Sequence, residues 1–193
     1  EVARMAAACR IADAALAAVA PMLVDRPREV DVRDQLEGRM RRLGADGPSY
    51  DTIVATGPRN AARPHHRPDH TVVEEGHTVV IDVGALVDGY HSDMTRTYVV
   101  GEPAPVHSEM FEVVAAAQRA GVAAVRPGLR LADLDAVCRD SIAAAGWGEW
   151  FTHGTGHGVG LVIHEDPFVN RTADGELRPG DVVTVEPGVY RDG

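Results

Sequence analysis

The stretch IDVGALVDGYHSDMTRT (residues 81–97) decides the fold. It reads as an apolar strand, a turn at Asp88-Gly89 and a returning strand, because an Asp-Gly pair supplies the positive φ angles that a two-residue hairpin loop demands. Such a loop makes opposed residue numbers sum to 177 (88 + 89). Asp93 then lies opposite Gly84, and Gly84 shares a face with Asp82 because side chains alternate with period two. The two carboxylates become diagonal neighbours with Cβ atoms roughly 7–8 Å apart. From that distance both can reach metals about 3.5–4 Å apart. A bulge between them would move one to the other face. Asp82 also ends the apolar run Val79-Val80-Ile81, expected in an interior strand, where a carboxylate needs a cationic partner. A metal ion or Arg96 would answer that need.

The second informative segment is HGTGHGVGLVIHEDP (153–167), with histidines at 153, 157 and 164 among four glycines. The His153/His157 spacing matches the helical HxxxH of zinc proteases, but Gly154 stands where that motif requires Glu. Glycines at 154, 156, 158 and 160 disfavour a helix and let backbone approach a ligand closely. The histidines are therefore expected on a loop leading into the apolar segment Leu161–Ile163. The third segment, GDVVTVEPGVY (180–190), alternates as a strand ending at Glu186-Pro187-Gly188, where proline keeps Glu186 extended. Thr184 and Glu186 should share one face and Val183 and Val185 the other.

Together these segments resemble the pita-bread metallopeptidases, the family of methionyl aminopeptidase, Xaa-Pro aminopeptidase and prolidase. The similarity runs over essentially the whole chain. The resemblance implies a dinuclear metal centre held by Asp82, Asp93, His157 and Glu186, with Thr95 and Tyr190 backing the ligands. It implies substrate contacts from His153 and His164, with His164 stabilising the oxyanion, and from the PHH segment (64–66). There the interval to Asp82 selects His65 over His66. SDMTRT, HGTGHGVGL and TVEPG look like the proline-specific branch. The expected activity is hydrolysis of Xaa-Pro bonds, at the N-terminus of peptides or in dipeptides. An enzyme of the same fold acting on a non-peptide small molecule, a methionyl aminopeptidase-like enzyme and an inactive binding module are the alternatives. Creatinase shares the fold without metal but lacks this ligand set.

The family's fifth ligand, a bridging Glu beyond the VEPG segment, has no counterpart before Gly193. The chain therefore reads as a catalytic domain (1–193) truncated at its C-terminus and lacking a preceding domain. Two Asp, one Glu and one His make a hard, oxygen-dominated shell that favours Mn²⁺, with Co²⁺, Fe²⁺ or Zn²⁺ as alternatives.

Nineteen basic against twenty-nine acidic residues give a net charge of −10, which argues against nucleic acid or an anionic membrane as partner. The expected partner is a peptide substrate, with a homodimer of the full-length protein compatible with the family. No stretch is expected to reach the length of a membrane span. Cys9 and Cys138 read as buried thiols in a reducing compartment, the cytoplasm.

The expected order is helix (1–20), helix (31–43), strand (50–56), His-bearing loop and hairpin. Helix (105–125), helix (131–145), a short strand near 150–152, the histidine loop and a strand (181–186) follow. Two rounds of helix, helix, strand and histidine segment, with Arg26-Pro27 and Arg126-Pro127 at matching points, suggest an internal duplication. The fold class is α+β: by resemblance the pita-bread fold, duplicated helix-helix-strand halves around a curved antiparallel sheet. Ala6, Ala7, Ala14 and Ala17 are read as a close-packed helix stripe.

Overall fold

The structure, a computed structural model, describes residues 1–191. It divides into two compact units, one formed by residues 1–104 and 160–163, the other by 105–159 and 164–191.

The first unit opens with α1 (Val2–Val19), a 3-10 turn (Ala20–Asp25) and α2 (Glu29–Arg42). In α2, Val32, Leu36 and Met40 recur at four-residue spacing, line one face and are fully buried. In α1 the buried set is Ala8, Ala12, Ala15, Leu16 and Val19. This corrects the expected stripe and the reading of Cys9 as buried: Ala14, Ala17 and Cys9 are exposed, because Leu16, Val19 and Leu23 set the helix phase toward the core. A second correction concerns length. The helical segment Val2–Asp25 spans 24 residues and is apolar enough, by length and composition, to cross a membrane. Its alanines create that composition, and its buried face belongs to the unit's core, as in a core helix.

Strands β1 (Gly47–Pro48) and β2 (Ile53–Thr56) precede the short helix α3 (Gly57–Asn60). The hairpin follows as β3 (Thr78–Asp82), β4 (Ala85–Val87), β5 (Tyr90–His91) and β6 (Thr95–Val99). Its register is the expected one from end to end: Val87 faces Tyr90, Leu86 faces His91, Asp82 faces Thr95 and Thr78 faces Val99. The loop residues Asp88 (φ 50°) and Gly89 (φ 80°) both take positive φ, as this two-residue turn requires. The arms split between two antiparallel sheets, β1-β4-β5 and β2-β3-β6. The division falls at Gly84, where a Cβ would lie 2.0 Å from the Ser92 carbonyl oxygen. β3 is the central strand of its sheet, with Val79 and Ile81 fully buried.

The second unit contains α4 (Pro105–Ala124), α5 (Leu131–Ala144), β7 (Gly156–Gly158) and β8 (Glu165–Val169). Ala117 and Gly121 let α4 lie close on α5, and a Cβ at Gly121 would sit 2.5 Å from Cys138 Sγ. Ala117, Cys138, Ile142, Trp147 and Phe151 form one core cluster, and Leu129, Leu131, Leu134, Val169 and Leu177 a second. Three expectations change here. The segment near 150–152 is preceded by a 3-10 turn, Gly148–Trp150, and is not a strand. His157 lies on β7, not on a loop. Residues 182–186 run extended beside 155–159, bonded through Val159 N to Val182 O, Thr184 N to His157 O and Glu186 N to Thr155 O. Among the described residues one isolated bridge, Gly158 to Val183, forms there, because the His157 N–H goes to the Thr184 hydroxyl and the Thr155 N–H to Asp135 instead of to the facing carbonyls.

The duplication is visible in how each second helix begins. Arg28 bridges Val72, and the first helical residue, Glu29, donates its N–H to Thr71 O (3.0 Å). Arg130 bridges Glu176, and Leu131 donates to Gly175 O (3.1 Å).

Candidate metal centre

In the first unit Asp82 closes β3 and Asp93 follows β5 on the returning arm. Both are half-buried. Tyr50 brings them together: its hydroxyl donates to Asp82 Oδ1 and lies 2.9 Å from Asp93 Oδ1. The phenol has one hydrogen for two carboxylates. Burial first, and then the charges of Asp82 and Asp93, push it well above the usual phenol range, so at neutral pH it is a donor. Two carboxylates on one hydroxyl repel each other, a repulsion that a divalent cation relieves. Thr95 is the cross-strand partner of Asp82 on β6.

In the second unit His157 is buried on β7, and its Nε2 lies 3.0 Å from Glu186 Oε1. His157 Nδ1 lies 2.9 Å from the Gly158 carbonyl, an oxygen that can only accept, so the hydrogen sits on Nδ1. That leaves Nε2 as the nitrogen suited to ligate a metal. Thr184 fixes Glu186 by donating from Oγ1 to Oε1 (2.7 Å), and also accepts the His157 N–H (3.0 Å). Thr184 and Glu186 therefore share a face, as the alternation predicts, while Val183 and Val185 pack toward the apolar clusters. The glycines of this segment admit neighbouring backbone, not ligand: a Cβ at Gly156 would lie 2.1 Å from Thr184 O, and one at Gly158 2.5 Å from Asp166 O. Within this unit the donors fit a divalent metal, with the Glu186 carboxylate held by a hydroxyl donor and the His157 imidazole oriented through its far nitrogen.

The remaining histidines differ in access. His164 is exposed and stands edge-on to His157, ring centroids 4.4 Å apart. His65 is exposed and adopts φ 62°, whereas His66 beside it is bound to Glu29 at 2.7 Å. His153 lies between Phe151 (5.2 Å) and Tyr190 (5.5 Å). Its Nδ1 meets the Gly154 carbonyl at 2.7 Å, and its Nε2 is enclosed with no hydrogen-bond partner among the described residues. Tyr190 thus backs His153, and its own N–H donates to Trp150 O (3.1 Å).

Tyr50, Glu29 and the Asp135–Arg139 pair escape a reading of the sequence. Asp135 accepts two bonds from Arg139 (2.7 and 2.9 Å) and further bonds from the Thr155 N–H and hydroxyl. Arg139 also donates to the carbonyls of Phe151 and His153. Only the i, i+4 spacing of Asp135 and Arg139 on one helix is a sequence signal for any of these.

Residues 3–193 match the family described as metallopeptidase family M24. An Xaa-Pro dipeptidase from Pyrococcus horikoshii is 43% identical over 183 residues, covering 95% of this chain and 52% of that protein. Among solved structures, the prolidase from Pyrococcus furiosus superposes with a TM-score of 0.97 at 41% identity, covering 100% of this chain and 57% of that one. The X-Pro aminopeptidase from Thermotoga maritima gives 0.96 at 37% identity, covering 100% and 55%. The chain spans about half the length of the curated relatives it matches. With the match running through both units, and with carboxylate and imidazole groups held as a metal shell requires, the chain belongs to metallopeptidase family M24 and has its pita-bread fold.

Proposed function

We propose that the full-length protein is a dinuclear metallopeptidase that hydrolyses Xaa-Pro bonds, with Asp82, Asp93, His157 and Glu186 as metal ligands and Mn²⁺ as the metal. The observation that carries this reading is the His157–Glu186 pair, in which Thr184 and the Gly158 carbonyl fix both donors from behind. Bound there, a pair of divalent ions supplies Lewis acidity and lowers the pKa of water. The chain's own residues do the rest. Asp82 and Asp93, oriented by Tyr50, contribute the negative charge that holds the ions. His164, exposed beside His157, faces the scissile carbonyl and carries the oxyanion contact. His65 contacts substrate. His153, held between Phe151 and Tyr190, is the second substrate contact.

The preference for proline rests on relatives named Xaa-Pro dipeptidase and prolidase. A relative named X-Pro aminopeptidase favours longer peptides as the second reading. Full-length protein loaded with Mn²⁺ should cleave an Xaa-Pro dipeptide, an Xaa-Pro tripeptide or both, and release no methionine from a Met-Ala peptide. Turnover of neither proline substrate would sink the proposal, and cleavage of Met-Ala alone would favour the methionyl branch.

A further inference from the structure

Glu29 is fully buried at the first position of α2, and its carboxylate takes no part in the helix. Oε1 accepts the Thr56 N–H (2.7 Å) and Asn60 Nδ2 (3.0 Å), while Oε2 meets His66 Nε2 (2.7 Å) and the Asp69 N–H (2.9 Å). Four partners fill the acceptor capacity of one carboxylate. No position remains for a metal, although Glu29, His66 and Asp69 lie close enough together to suggest one.

The four partners are spread over residues 56–69 and bracket one loop. Within it His65 adopts φ 62°, a left-handed conformation that a non-glycine residue keeps only when its surroundings impose it. Here the imposing contacts lie on the carbonyl side: His66, the next residue, is clamped on Glu29, and its N–H donates to Arg63 O (3.3 Å). His65 itself stays exposed. The second unit supplies an internal comparison. There the first helical position after the equivalent bridge is Leu131, packed in an apolar cluster. The helix entry therefore does not require a carboxylate, and the repeat that has one is the repeat that carries the His65 loop.

We infer that Glu29 is a positioning residue for the reaction, holding His65 in its presented, left-handed conformation through His66 and the loop. This rests on the proposed substrate contact of His65. In the full-length manganese-loaded protein, E29Q places an amide NH₂ against donors, so one or more of the four bonds is lost. The expected result is a fall in kcat/KM of roughly 10- to 100-fold, the scale of a contact displaced by about 1 Å, with metal content unchanged. H65A should fall by a similar factor, and E29Q added to H65A should change kcat/KM by less than about twofold, because the two act as one unit. Multiplying effects would overturn the inference, as would an E29Q enzyme within twofold of the parent. If E29Q does not fold, H66A enters the same cycle with the same two outcomes. Should the unaltered protein cleave no Xaa-Pro peptide, the substrate reading fails by itself. The His65 imidazole resonance then decides: a shift in E29Q relative to the parent supports Glu29, and an unmoved resonance overturns it.

Discussion

Tyr50 is the residue on which the first unit's chemistry turns. Its hydroxyl serves two carboxylates that would otherwise repel each other. Outer groups that orient ligands typically cost 10–100-fold in metal affinity or activity when removed. Y50F should therefore weaken Mn²⁺ binding by about that factor in a calorimetric titration, while the ring keeps the fold in place. Unchanged affinity would show that the phenol is a passenger. Nothing in the sequence marks Tyr50, which lies 32 residues before Asp82. Asp82 and Asp93 were legible because hairpin parity is a local rule. Tyr50 was not, because its partners are set by which strands lie side by side.

At the scale of elements, α5 holds the segment leading into β7. Asp135 is almost fully enclosed, and its pairing with Arg139 ties the helix to Phe151, His153 and Thr155. Removing one member of a buried ion pair leaves the other charge without compensation, at a cost of about 3–5 kcal/mol. D135A should lose stability of that order in urea unfolding, against less than about 1 kcal/mol for D133A, whose ion pair with Arg130 is exposed. Equal effects would refute the assignment. The four long helices were legible to within two residues of their ends, because apolar spacing and the Arg-Pro punctuation are carried by neighbouring residues. The strand expected at 150–152 was not. Its apolar residues Trp150 and Phe151 are placed by helix contacts and by Arg139, which override local preference.

For the whole molecule, stability should depend on pH at the alkaline end through Cys138. Burial pushes this thiol up from 9.0 to about 11, with the Asp135 charge adding to the rise. A group whose pKa is raised on folding contributes stability that is complete below pH 9 and is lost as pH climbs through 11. A rise of this size corresponds to about 2–3 kcal/mol. Over pH 8 to 11, the parent should lose that much more stability than C138A, and iodoacetamide should reach Cys138 only on unfolding, while exposed Cys9 reacts in the native state. Matching pH profiles for parent and C138A would remove the thiol from the account.

What the sequence determined by itself was periodic or adjacent. The hairpin register, the shared face of Asp82 and Asp93, the four long helices and the common side of Thr184 and Glu186 all follow from repeats of two or 3.6 residues. The choice of His65 over His66 followed from resemblance alone; in the structure Glu29 engages His66 and His65 is exposed. Tertiary structure alone decided which alanines of α1 face the core and why glycines recur at 156 and 158. It also decided which polar groups stand behind the candidate ligands. Those outcomes depend on contacts between residues far apart in the chain. A buried carboxylate or hydroxyl must find its hydrogen-bond partners wherever the fold places them, and local pattern does not encode that address.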